Sequence, residues 1–230
     1  YGKASTGPGG SISIGSNGAI GSEAWHDGGN TGIQPGWSSD DMNVSFPDVK
    51  PPFTSGGLTP IPGVVGGTNY TYVLTTGNWE LASLTLGSDS KMLVLGNAVL
   101  YVKGNVSVSG QASIQVSTNS ALQMFVEGPA TAIGGKGAVN SSGNATNFFY
   151  YGLPTNTQVA MSGNAAFTGA IYAPSAALTL GGGGNSTYDF VGAAVAGSVT
   201  MDGHFNFHFD ENLRKNGPWR GYTVIAWNEM

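Results

Sequence analysis

Six short runs in the middle of the chain alternate apolar and polar residues and then stop. They are Ser83-Leu84-Thr85-Leu86, Met92-Leu93-Val94-Leu95, Val99-Leu100-Tyr101-Val102, Val106-Ser107-Val108, Ser113-Ile114-Gln115-Val116 and Leu122-Gln123-Met124-Phe125-Val126. A period of two in β-branched, aliphatic and aromatic residues is the signature of a strand. Gly, Asn, Asp or Ser closes each run, and pairs such as Gly96-Asn97, Gly104-Asn105, Gly143-Asn144, Gly163-Asn164, Gly184-Asn185 and Asp202-Gly203 mark the corners. These residues tolerate left-handed backbone angles. The corners are too short for helical crossovers, so the chain from Tyr70 to Phe209 is all-β.

Two architectures fit strands that recur roughly every eight to ten residues: a single-stranded β-solenoid, with a right-handed β-helix as its leading form, and an antiparallel β-sandwich. Small residues at the corners favour the solenoid, because stacked rungs approach closely there. So do aliphatic inward positions (Leu84, Leu86, Leu93, Leu95, Leu100, Val102, Ile114, Val116, Leu178, Leu180) opposite outward Ser, Thr, Gln and Asn. The repeat has no fixed period. A solenoid buries its core between rungs and needs a cap at each end.

Both ends of the chain differ from this middle. Residues 1–67 are rich in Gly, Ser, Asn and Pro, and Pro47-Asp48-Val49-Lys50-Pro51-Pro52-Phe53 is held extended by its prolines. This segment reads as an irregular arm docked on the body by Trp25, Trp37 and Phe53; residues 68–230 read as the solenoid. At the far end His204-Phe205-Asn206-Phe207-His208-Phe209 alternates, with three Phe on one face. Asp210 to Gly217 reads as one or two helical turns and Gly221 to Trp227 as a final strand, so that 204–230 forms a C-terminal cap.

Charged residues make up 9% of the chain, against roughly 25% in an average soluble domain. The surface is therefore neutral hydroxyl and amide. Eight scattered Lys and Arg in a chain of net charge −5 exclude a nucleic-acid stripe or an anionic membrane surface. The absence of Cys excludes disulfides, zinc-thiolate sites and cysteine nucleophiles. No apolar run reaches the roughly 18 residues of a membrane span, so no membrane insertion is expected. The abrupt start at Tyr1 reads as a chain from which a targeting or anchoring segment has been removed.

The pieces Gly163-Asn164-Ala165-Ala166-Phe167-Thr168-Gly169-Ala170-Ile171-Tyr172-Ala173-Pro174, Phe190-Val191-Gly192-Ala193-Ala194-Val195, Phe207-His208-Phe209-Asp210-Glu211 and Arg220-Gly221-Tyr222-Thr223-Val224-Ile225-Ala226-Trp227-Asn228-Glu229 occur in that order. They resemble an uncharacterised β-helical domain at the C-terminus of PilX-type, pilus-assembly-associated bacterial surface proteins. The resemblance runs from about Tyr70 to Met230 and implies a β-helical domain displayed outside the cell. It brings no catalytic motif. Phe209 departs from a Tyr usual in that family.

Three constellations are candidates for chemistry. Alternation places His204, Asn206, His208 and Asp210 on one face, where neighbours could share an ion; a polar outer face on a capping strand is the plainer reading. Asp27, Asp40 and Asp41 in the arm could hold Ca²⁺, the one cofactor these acids admit, although turn capping explains them as well. Trp79, Phe149, Tyr150 and Tyr151 form a candidate sugar-stacking platform; the alternative is that one pair of the run Phe148 to Tyr151 is core and the other is covered by the arm.

Gly181-Gly182-Gly183-Gly184 is no phosphate loop, since no Lys-Ser/Thr follows. Asn-x-Ser/Thr triplets stand at Asn43, Asn69, Asn105, Asn140, Asn144 and Asn185. The threonines look too irregular for an ice-facing ladder.

These readings converge on a non-catalytic extracellular or cell-surface domain, structural or adhesive, that presents a rigid neutral face to a polysaccharide or other surface polymer, or to a second copy of itself. A carbohydrate-binding module is the first alternative and a polysaccharide-acting enzyme the second.

Overall fold

The computed structural model describes residues 2–15, 17–162, 166–181, 188–201 and 205–216. The arm carries strands β1 (Ala4–Ser5) and β2 (Ala19–Ile20), helix α1 (Glu23–Asp27), and strands β3 (Gly32–Ile33) and β4 (Ser38–Ser39). β1 pairs with β4 and β2 with β3, both in parallel. Then come β5 (Ile61–Val65), β6 (Thr68–Leu74), β7 (Gly77–Leu81), β8 (Leu84–Leu86), β9 (Lys91–Val94), β10 (Asn97–Val102), β11 (Val106–Val108) and β12 (Ser113–Val116). β13 (Ala121–Val126), β14 (Ala130–Ile133), β15 (Gly137–Asn140), β16 (Phe148–Gly152) and β17 (Gln158–Met161) continue the series. Two long strands, β18 (Ala166–Leu180) and β19 (Tyr188–Met201), are followed by β20 (Phe205–Phe209) and helix α2 (Asn212–Asn216).

All pairing from β6 onward is parallel; from β6 to β17 each strand pairs with the strand three places away, and β18, β19 and β20 stack on in turn, so the chain coils as a β-solenoid of about five turns. Consecutive antiparallel strands, which a sandwich requires, are absent among the described residues apart from the β5–β6 hairpin. Three faces result. Face A stacks β6, β9, β12 and β15; face B stacks β7, β10, β13 and β16; face C stacks β8, β11, β14 and β17. β18 and β19 each run through all three faces.

The core is a set of vertical columns, because parallel register places each inward residue over one from the previous turn. On face A the column is Tyr72, Met92, Ile114, Ala138, Phe167, Phe190 and Phe207. Its aromatic end is stacked: Phe167 and Phe190 lie 4.9 Å apart, and Phe190 and Phe207 lie 4.6 Å apart. On face B the column is Trp79, Leu100, Met124, Tyr150 and Ile171. On face C, Leu86, Val108, Ile133, Met161 and Leu180 are all 2% exposed or less. Each such side chain contributes roughly 1.5–3 kcal/mol by leaving water.

One inward assignment is corrected. In β9, Met92 and Val94 enter the core, whereas Leu93 is buried on the outside between Val73 and Gln115, and Leu95 is half-buried. Four apolar residues in a row carry no period of two. The register of the neighbouring rungs decides, and it matches Met92 and Val94 to Ile114 and Val116.

The corners need glycine where rungs touch. A Cβ on Gly128 would lie 2.1 Å from the carbonyl carbon of Gly104, and one on Gly192 would lie 1.7 Å from the oxygen of Gly169. The corners expected at Gly163-Asn164, Gly184-Asn185 and Asp202-Gly203 lie outside the described residues, as do Gly182 to Gly184 of the four-glycine run, residues 217–230 of the expected cap, and the strand Gly221 to Trp227 within them.

The arm runs back along face B from the last rung to the first. Gly2 lies against Phe209. Phe46 meets Tyr172 edge-on at 6.3 Å, and the Tyr172 hydroxyl donates to Pro47 O at 2.7 Å. Val49 is buried with Tyr101, Leu153 and Tyr172; Phe53 meets Tyr101 edge-on at 5.8 Å. Leu58 then pairs with Trp79 on the first rung. The Gly66-Gly67 turn joins β5 to β6, so the hairpin forms the N-terminal edge of face A, and Tyr72 and Trp79 pack against the core of the first turn.

Candidate functional site

Faces B and C offer different outer surfaces. On face B the outward residues of successive turns form the column Glu80, Tyr101, Phe125, Tyr151, Tyr172 and Val195. Phe125 and Tyr151 stack at 4.6 Å with an interplanar angle of 19°, and Phe149 stands 6.1 Å from Tyr151. The arm covers Tyr101 and Tyr172 and leaves Phe125, Phe149 and Tyr151 half-buried. Burial, and then the hydrogen bond its hydroxyl gives to Glu127, push the Tyr101 phenol up to about 12. Burial also raises Tyr151 and Tyr172.

The structure therefore unites Phe149 and Tyr151 of the expected platform and separates the other two. Tyr150 points into the core with no exposed surface, its hydroxyl against Thr131 Oγ1 and Asn156 Oδ1. No ligand can stack on it. Trp79 also faces inward, packed against the core of the first turn, with Nε1 donating to Thr75 O at 2.9 Å. Strand parity decides both cases: in Phe148 to Tyr151 only alternate residues face outward. Phe125 and Tyr101 belong to the outer column and were readable by the same rule, since the inward Leu122, Met124, Leu100 and Val102 force them out.

Face C carries the column Thr85, Ser107, Ala132, Ala160, Thr179 and Thr200, flanked by Ala130, Gln158, Ala177 and Ser198. All are exposed or half-exposed, and none is charged. Rungs about 4.8 Å apart and same-face residues about 6.7 Å apart make this a regular two-dimensional array of hydroxyls, amides and methyls. The irregular spacing of the threonines in the sequence conceals it: Thr85, Thr179 and Thr200 fall in one column, although Ala and Ser occupy the turns between them.

The His/Asp set divides. Asn206 and His208 do share an outward face, and both meet Asp189 of β19: Asn206 Nδ2 donates to Asp189 Oδ1 at 3.3 Å, and His208 Nε2 lies 3.1 Å from the same oxygen. Asp189 is paired by register rather than by sequence distance, which is why sequence reasoning missed it. Asp210 lies past the end of β20 and accepts from the amides of Ala145 and Asn212 at 2.8 and 2.9 Å, so it anchors α2 instead of joining an ion site. His204 lies outside the described residues. Of the three Phe, Phe207 stacks in the core and Phe209 is 36% exposed beneath Arg214.

Among the described residues, no three His, Cys, Asp or Glu side chains converge to hold a metal ion. Asp27 closes α1 while Asp40 and Asp41 follow β4, so the expected Ca²⁺ set is not assembled. Asn140, in one of the sequence triplets, is buried and donates to Asn144 O, whereas Asn43, Asn69 and Asn105 are exposed. No described helix is long and apolar enough to cross a membrane.

A family model for a domain of unknown function, DUF7305, matches residues 60–216, about two thirds of the chain, and the chain belongs to that family. No curated protein and no solved structure matches it.

Proposed function

We propose that this DUF7305 member is a non-catalytic surface domain that holds a polymer against the neutral outer side of face C. The observation that carries the reading is the array of Thr85, Ser107, Ala132, Ala160, Thr179 and Thr200 with its uncharged flank, standing on a rigid, fully packed core. Each hydroxyl offers one donor and two acceptors, and none loses rotamer freedom in long side chains. Many weak hydrogen bonds in register with a repeating polymer then add up without a pocket. Location outside the cell, on a pilus-like appendage or the cell surface, is part of the proposal; low charge and the resemblance to PilX-associated domains support it.

Retention of the purified chain on insoluble cellulose, chitin and peptidoglycan tests this. Thr179→Lys, at the fifth of the six positions of the array, is expected to release a bound polymer while the chain stays folded; retention unchanged by Thr179→Lys overturns the assignment to face C. A second reading, a carbohydrate-binding surface on face B, is favoured by the stacked Phe125 and Tyr151 with Phe149 beside them. Aromatic faces of this kind suit the apolar side of a sugar ring, and Tyr151→Ala distinguishes the two.

A further inference from the structure

A cleft of about 210 Å³ opens on face B beside α2. Its origin lies in side-chain size. The outward column that runs through Phe149 continues as Ala170 and Ala193, so two methyls follow a ring and leave a depression. β20 ends at Phe209, opposite Gly192, and does not extend over Ala193. The chain turns there into α2, whose Leu213 and Arg214 stand as the facing wall. That wall is pinned, because Asp210 accepts from both Ala145 N and Asn212 N.

The cleft is apolar except at its mouth. The Arg214 guanidinium lies 5.5 Å from the centroid of the Phe209 ring. Among the described residues it forms no ion pair. An aromatic floor, a methyl-lined depression and one cation at the rim define a complementary ligand. A guanidinium seeks a carboxylate through two parallel hydrogen bonds, and the exposed Arg214 is free of any ion pair among the described residues to make them. The volume falls below the roughly 300–1,000 Å³ of drug-sized pockets, so the apolar part is one ring or its equivalent.

We propose that this cleft binds a small aromatic carboxylate, ring against Ala170 and Ala193 and carboxylate on Arg214. The site is separate from face C and stands independently of the polymer reading. Phenylacetate and its uncharged analogue 2-phenylethanol are the probes, titrated against the whole chain with alanine methyl resonances observed by NMR. Saturable shifts of the Ala170 and Ala193 methyls with phenylacetate are expected. Arg214→Gln is expected to weaken phenylacetate about tenfold and to leave 2-phenylethanol unchanged. Ala193→Phe fills the depression and is expected to abolish both. Unmoved methyls, equal affinity for the two probes, or indifference to Arg214→Gln would each overturn the proposal; the last variant lies on an exposed side chain and does not depend on repacking.

Discussion

Tyr150→Phe keeps a ring in the core and removes one hydroxyl, so its effect isolates a buried hydrogen-bond network. The Tyr150 hydroxyl lies 2.6 Å from Thr131 Oγ1 and donates to Asn156 Oδ1 at 2.9 Å, while Asn156 Nδ2 donates to Gly128 O at 2.6 Å. Thr131, Tyr150 and Asn156 are each 2% exposed or less. Without the hydroxyl, Asn156 Oδ1 loses this partner and Thr131 Oγ1 keeps only a 3.5 Å contact with Asn156 Nδ2. A buried polar group left unsatisfied costs about 1–3 kcal/mol, so two with partial relaxation cost about 2–4 kcal/mol. In a chain of this length each kcal/mol moves Tm by about 2–4 °C, and calorimetry at neutral pH should show a fall of roughly 4–16 °C. Burial also pushes the Tyr150 phenol far above its ordinary value. The folded state then keeps a proton that the unfolded state releases. This contribution is present below about pH 10 and is lost as the pH rises further, so the deficit of the variant narrows in alkali. An unchanged Tm at neutral pH would refute the buried network. Lost polymer binding with unchanged Tm would put Tyr150 on the surface.

Other consequences follow from the same geometry. Gly128→Ala drives a methyl into the backbone of Gly104 and should cost more than about 3 kcal/mol, read as a lower urea midpoint. Phe53→Ala uncovers Tyr101, and phenolate absorbance should show that group titrating below about 12, with faster proteolysis of the arm. Thr179→Lys sits on an exposed position away from the core and should alter stability by less than about 0.5 kcal/mol while reducing polymer retention.

Much of the fold was legible because each strand states its own parity. Leu84, Leu86, Leu100, Val102, Ile114 and Val116 are inward as their alternation requires, and the small corner residues permit the close stacking seen at Gly104 and Gly128. The period was not legible, because corners of unequal length are inserted between strands that, from β6 to β17, themselves run from three to seven residues. Partners stand 21 residues apart at Asn78 and Val99, 28 apart at Thr131 and Val159, and 19 apart at Gln158 and Ala177. Columns therefore cannot be aligned by counting, and with them go the array on face C, the pairing of Asp189 with His208, and the aromatic column under the arm. Met92 to Leu95 fails for the opposite reason: its composition carries no parity at all.

The central claim is that face C, and not face B or face A, meets the polymer. The chain has no cysteine, so single cysteines can report on each face. Thr179→Cys marks face C, Gln123→Cys marks face B, and Val139→Cys marks face A. The measurement is the rate of maleimide labelling of each variant, free and bound to the polymer that retains the chain. The account predicts slowed labelling at 179 with little change at 123 and 139. Protection at 123 alone, or equal protection at all three, would contradict it.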